Sequence, residues 1–184
     1  MARCPHCHRE LATPVNACPH CDFTLATLQT QMISPPAQAG PVTDLAGVLT
    51  TEEAERIAQR CQEVFTRTGA ELLVVTVLTT APLQPAEYVF WLANLWNMGG
   101  PENRGLLILL SFQERRIESE VGYGLEASLS DAETEHILHE HVAPLLCAGN
   151  YSAGLYQAAD VLGKVLEAES EVERRRKGWR RYFA

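Results

Sequence analysis

From residue 42 onward, apolar and polar positions follow two alternating rhythms, and the first 41 residues follow neither. Ala54, Ile57, Ala58, Cys61, Val64 and Phe65 recur three and four apart, behind a Thr50-Thr51-Glu52-Glu53 capping box and ahead of Gly69. That spacing predicts an amphipathic helix. Residues 71–79 hold Leu72, Leu73, Val74, Val75, Val77 and Leu78, too continuous a run for a half-exposed strand, so a central strand covered on both faces is expected. Tyr88, Trp91, Leu92, Leu95 and Trp96 mark a second helix from about 85 to 98, and residues 105–112 form another buried strand. Strand, helix and strand predict a right-handed parallel crossover. After Gln113-Glu114, Ile117, Ser119 and Val121 alternate with Arg116, Glu118 and Glu120, the pattern of a one-sided antiparallel strand. Ser130-Asp131-Ala132-Glu133 caps a third helix carrying Ile137, Leu138, Val142, Leu145 and Leu146, and a fourth runs from 151 to about 176. The expected fold is α/β: a layered domain with a mixed β-sheet flanked by helices.

The N-terminal segment repeats itself, Cys4-Pro5-His6-Cys7 returning as Cys18-Pro19-His20-Cys21. Zinc takes four ligands in a tetrahedron, and a two-residue gap lets one tight turn aim two thiolates at one ion, so two such turns complete the shell. With only Leu11, Val15, Phe23 and Leu25 as substantial apolar side chains, this segment cannot stabilise itself by burial, and a structural zinc held by Cys4, Cys7, Cys18 and Cys21 would supply its folding free energy. His6, His8 and His20 are rival ligands, and redox-active dithiols are the rival chemistry. Residues 29–41, with Ser34-Pro35-Pro36 and Ala39-Gly40-Pro41, read as a stiffened linker that holds the ribbon off the main domain. The expected division is therefore a zinc ribbon over 1–28, a linker over 29–41, an α/β domain over 42–168 and a basic helix or tail over 169–184.

Composition narrows the function. At 184 residues, 46% hydrophobic and 21% charged, the chain reads as a soluble protein with one sizeable domain plus something small. No apolar run nears the roughly 18 residues of a membrane span, and the first residues form no secretory h-region, so a cytoplasmic, reducing location is expected and metal binding outranks disulfides for the paired cysteines. Arg174, Arg175, Arg176, Lys177, Arg180 and Arg181 give the last eleven residues a charge of +6, and residues 1–28 cancel, so the net −8 leaves −14 on the middle of the chain. An acidic body of that size argues against a general nucleic-acid partner. The basic, aromatic tail suits an anionic membrane surface or an acidic protein groove, or else pairs with the chain's own acids.

The hairpin of the last two strands has a geometric consequence: residues 122–126 leave the sheet at the end where residues 99–104 enter it. Two glycine-rich loops then face each other beside Asn103, Glu126 and Asp131, which are hard oxygen donors. A small cation site is one reading; tight corners and a helix cap are the other. His136, His139 and His141 around Glu140 lack the His-Glu-x-x-His spacing and read as a solvated helix face, while Cys61 and Cys147 read as small apolar fillers.

Several separated motifs now fall in order. Val42-Thr43-Asp44-Leu45-Ala46-Gly47-Val48-Leu49-Thr50, Trp96 with Gly99, Asn103-Arg104-Gly105-Leu106-Leu107, and Glu120-Val121-Gly122-Tyr123-Gly124-Leu125-Glu126 resemble the TPM domain family over about residues 42 to 166, with Pro144, Gly149-Asn150-Tyr151 and Gly154-Leu155 continuing the match. The resemblance implies a sheet flanked by helices, and a family whose members include thylakoid photosystem II repair proteins, some described as acid phosphatases and others as calcium-binding or accessory to membrane assemblies. Carried over by position, it implies a site for calcium, another divalent cation or another ligand at Asp44, Asn103, Tyr123 and Glu126, with Asp131 just beyond. Many relatives carry acids between Trp96 and Asn103, where this chain has a short Met98-Gly99-Gly100-Pro101-Glu102, and a lost carboxylate lowers both charge and ligand count.

The chain offers no Cys-x5-Arg cradle, no P-loop and no Asp-x-Asp pair, so a nucleophile for phosphate transfer is not evident. The expected function is a non-enzymatic accessory or adaptor protein that binds a protein partner. The alternatives are a metal-dependent acid phosphatase-like hydrolase and a nucleic-acid-binding zinc-ribbon protein.

Overall fold

The computed structural model describes residues 2–3, 9–11, 17–24 and 35–182, which leaves Cys4 and Cys7 outside the described residues. In chain order the strands are β1 (Ala2–Arg3), β2 (Glu10–Leu11), β3 (Val42–Asp44), β4 (Glu71–Val77), β5 (Gly105–Ser111) and β6 (Arg116–Val121). The helices are α1 (Thr51–Thr68), α2 (Pro85–Leu95), α3 (Asp131–Ile137), a π-helical turn (Leu138–Val142), α4 (Ala143–Cys147) and α5 (Tyr151–Tyr182). Strands β3-β4-β5-β6 lie in that order, the first three parallel and β6 antiparallel to β5. The mixed sheet with helices on both faces is the architecture expected.

Local signals explain the elements. Thr50 Oγ1 accepts from the Glu53 N–H at 3.3 Å while the Glu53 carboxylate accepts from the Thr50 N–H at 2.9 Å, and Gly69 ends α1 at φ 70°, a conformation only glycine adopts without strain. Buried strands β4 and β5 feed two cores. Val74, Leu106, Ile108 and Leu110 face α1 and α5, and Leu73, Val75, Leu107 and Leu109 face α2. Because α1 and α2 cover opposite faces while the strands advance in one direction, the connections β3-α1-β4 and β4-α2-β5 have opposite hands, and one of them departs from the right-handed rule.

Two other features differ from the sequence reading. The third helix is broken: Pro144 has no N–H to give back to residue 140, and the backbone passes into a π turn in which the Ala143 N–H reaches Leu138 O. The fourth helix runs on to Tyr182, past the expected end near 176. Its Arg174 donates to the Arg67 carbonyl in the last turn of α1 at 2.8 Å, where a cation meets the negative end of the helix dipole.

Residues 35–41 of the expected free-standing linker are laid onto the domain. Trp96 Nε1 donates to Pro36 O at 2.7 Å, and the Val74 N–H to Pro41 O at 2.8 Å. Cys18 and Phe23 are buried together with Leu83, with Tyr88 and Trp91 packed alongside. A segment with so few apolar side chains cannot enclose Phe23 by itself, and the flank of α2 covers it instead.

Between α1 and α5, Arg60 is 6% exposed and holds Asp160 Oδ1 at 3.0 Å and Glu167 Oε1 at 2.7 Å. Burial pushes Asp160 up, but hydrogen bonds and charges from Lys164 and Arg60 outweigh it and hold the carboxyl below its ordinary 3.8. A carboxyl lowered on folding adds stability that is complete above the unfolded pKa and is lost as pH falls through the folded one. The urea midpoint should therefore decline once pH drops below 3.8, and Asp160→Asn should reduce that decline; an unchanged acid limb in the variant would contradict this account.

Candidate functional site

The two glycine-rich loops do meet at one end of the sheet, and they meet backbone to backbone. The Gly122 N–H donates to Gly105 O at 2.8 Å and the Gly124 N–H to Asn103 O at 3.0 Å. A Cβ on Gly122 would sit 2.2 Å from Asn103 O, and one on Gly124 2.2 Å from Glu102 O, so both glycines are required by close approach. Glu71 latches the entering loop by accepting from the Gly99 N–H at 2.7 Å, while Arg104 reaches Gly124 O and Thr68 O, each at 3.4 Å.

Beside this contact lies a small cavity of about 110 Å³. Asn103 and Tyr123 line it, together with Asn94, Asn97 and Glu120 over Phe90 and Met98. Tyr123 is 78% exposed. Glu126 and Asp131 do not line it: Glu126 is exposed in the outgoing loop, and Asp131 is the first residue of α3, one past the Ser130 cap. Three amides, a phenol and a carboxylate can hydrogen-bond one small polar group, but the volume falls below the roughly 300 Å³ of an ordinary ligand pocket. Among the described residues no group of three or more His, Cys, Asp or Glu could hold a metal ion. Glu120, Asn94 and Asn97 were not among the sequence candidates. The alternation along β6 carries the signal for Glu120, since it shares the α2-facing side with Glu118 and lies opposite Leu107.

Asp44 is elsewhere. It pairs with Thr76 near the far end of β4, whereas Glu71 pairs with Gly105 at the loop end, so five residues of strand, roughly 16 Å, separate it from Asn103. Both carboxylate oxygens are engaged. Oδ1 accepts from Thr76 Oγ1 and from the Val48 N–H at 3.3 Å, and Oδ2 from the Leu49 N–H at 2.9 Å. The Thr76 hydroxyl accepts in turn from the Ala46 N–H at 3.2 Å. Asp44 is the clamp of the β3–α1 loop. Asp44→Ala is expected to cost about 2 kcal/mol in urea unfolding, since charged hydrogen bonds are lost and two N–H groups are left to water; an unchanged midpoint would show that the clamp carries no stability. Nearby, Ser111 and Thr79 hydroxyls donate to Glu114 and hold its carboxyl below the ordinary range.

Of the cysteine repeat, the second half is described. The Asp22 N–H donates to Cys18 O at 2.9 Å, the His20 N–H points at Cys18 Sγ at 3.4 Å, and Ala17 bridges Thr24 across the turn. The first repeat closes with the equivalent pair, Arg3 with Glu10, fourteen residues earlier. The described donors, Cys18 and Cys21, are of the type that zinc takes. Cys61 is buried in the core, which pushes its thiol up to about 12, and Cys147 is exposed at the end of α4. His136 and His141 flank Glu140 at 3.3 and 3.8 Å on an exposed helix face.

Residues 42–165 match the model of the TPM domain (TPM_phosphatase). The chain belongs to the TPM domain family. Among solved structures, this TPM domain is similar to the N-terminal domain of a protein from P. gingivalis, at 32% identity and a TM-score of 0.67, over 71% of this chain and 83% of that one. The N-terminal domain of the cg2496 protein from Corynebacterium glutamicum (16% identity, TM-score 0.57, 71% and 82% covered) shares the fold. So does the BA42 protein from Bizionia argentinensis (19%, 0.58, 66% and 83%). No curated protein matches the chain. The TPM match begins at the first residue of β3 and ends inside α5, so it takes in the sheet, both cores and both glycine loops and stops short of the cysteine repeat. Among the described residues, no helix is long and apolar enough to cross a membrane.

Proposed function

We propose that this chain is a non-enzymatic accessory protein of a reducing compartment, the cytoplasm, in which a structural zinc folds the N-terminal segment and the TPM domain binds a protein partner. The observation that carries the reading is the repeated pairing: Ala17 bridges Thr24 across the turn that holds Cys18 and Cys21, and Arg3 pairs with Glu10 at the equivalent positions of the first repeat. Four protein thiolates leave no open position for a substrate, so the ion serves architecture. The separation of Asp44 from Asn103, and its engagement by three donors, supports recognition over metal-assisted hydrolysis, which needs carboxylates converging on one ion.

Elemental analysis of protein purified without added metal is expected to give one zinc per chain. Cys18→Ser should lose it and show increased proteolysis before residue 35, while residues 42–165 keep their folded spectrum. Incubation with a phosphomonoester, with and without calcium or magnesium, is expected to give no turnover. Turnover abolished by Asp44→Ala would overturn the reading in favour of the hydrolase, and retention on an oligonucleotide at physiological salt would overturn it in favour of a nucleic-acid binder.

A further inference from the structure

We infer that the apolar cavity between the β5–β6 hairpin and the α4–α5 corner is a binding site for a small monocarboxylic acid, with the acyl chain inside and the carboxylate on Arg115. This goes beyond the accessory reading and stands without it. The cavity measures about 300 Å³, which reaches the size of an ordinary ligand pocket where the one beside Tyr123 does not. Leu110, Phe112 and Ile117 of the hairpin line one side and Leu146 with Tyr151 the other, and the Phe112 and Tyr151 rings stand 5.3 Å apart. Such walls favour an apolar body and penalise a buried polar one.

Charge selects the head group. Among the described residues, Arg115 is the one ionised side chain that lines the cavity, and no carboxylate does. Its guanidinium makes no hydrogen bond or ion pair with another described residue. The neighbouring Arg116 is different, since Glu118 holds it at 2.9 Å and it stands outside the lining. The adjoining groove, which Arg115 also borders, carries Glu118 and Glu135, and neither pairs with Arg115. The backbone points the same way. Arg115 lies at φ 53° and closes the hairpin turn by donating its N–H to Phe112 O at 3.3 Å, a left-handed position that glycine takes without strain. Arginine there costs folding free energy and gives the cavity its cation. A guanidinium fork meets a carboxylate through two parallel hydrogen bonds and matches its single charge, whereas a phosphate dianion calls for a second cation. The exposed thiol of Cys147 also lines the cavity and can report its occupancy.

The test is a titration of the isotope-labelled full chain with octanoate, hexanoate, octan-1-ol and octylammonium. Octanoate is expected to bind saturably and to shift the amides of Leu110, Ile117 and Leu146. Hexanoate, with less chain to bury, should bind about tenfold more weakly. The alcohol and the ammonium keep the chain and lose the negative charge, and should also be at least about tenfold weaker. Octanoate should slow alkylation of Cys147 by iodoacetamide, located by peptide mapping, while octylammonium leaves it unchanged. Arg115→Gly should bind octanoate no better than the alcohol and keep a urea midpoint no lower than that of the native chain, because the left-handed position is relieved. Failure of octanoate to bind, equal affinity for acid and alcohol, shifts that bypass the cavity, or an acid preference kept in Arg115→Gly would each overturn the site. A lowered midpoint in that variant would overturn the assignment of Arg115 to binding in favour of a folding role.

Discussion

Arg60→Ala should lower the unfolding free energy by about 3 kcal/mol, near the lower end of what removing one partner of a buried ion pair costs. The side chain is 7% exposed and its carboxylate partners, Asp160 and Glu167, are each 20% exposed. Without the guanidinium, two acids are left facing each other across the α1–α5 contact, with only the exposed Arg67 and Lys164 to answer them at 3.3 and 2.7 Å. The cavity left by the side chain adds to the cost. Lys164→Ala is the comparison: an exposed pair of this kind contributes under about 1 kcal/mol. Denaturant unfolding of both variants decides the point, and an Arg60→Ala loss no larger than that of Lys164→Ala would mean that the network adds nothing beyond surface charge.

Gly122→Ala should cost about 3 kcal/mol as well, by a different route. The added methyl would fall 2.2 Å from the carbonyl oxygen of Asn103, and backbone cannot rotate aside as a flexible side chain can. The hairpin end and the 99–104 loop must separate, which breaks the Gly124 to Asn103 bond and opens the small cavity beside Tyr123. The expected signature is a lower midpoint together with amide shifts concentrated at residues 99–105 and 120–126. A stable variant with shifts confined to residue 122 would show that the two loops do not depend on each other.

Much of this domain was legible in the sequence because its signals are local or periodic. The capping boxes at Thr50 and Ser130, the unbroken apolar runs of β4 and β5 and the alternation of β6 each state their own environment. Strand β3 went unread because three residues carry no period, yet its pairing with β4 is what fixes Asp44. That pairing also explains why the candidate residues split into two groups: a family motif places residues in order along the chain, and only strand register says at which end of the sheet each one stands. The break at Pro144 was visible as a residue type, but the apolar stripe from Ile137 to Leu146 passes through it undisturbed, and the π turn keeps that stripe inward. The docking of residues 35–41 rests on backbone carbonyls such as Pro36 O and Pro41 O, which no residue type announces.

The contact of Cys18 and Phe23 with Leu83, Tyr88 and Trp91 couples solubility to thiol chemistry. Whatever pries the second turn away, an alkylating reagent or, for the proposed zinc, a chelator, uncovers Leu83 and exposes more of the half-buried Tyr88 and Trp91. A sample can then turn cloudy while its central sheet is still intact, and turbidity would report the state of the cysteines before any loss of helix does.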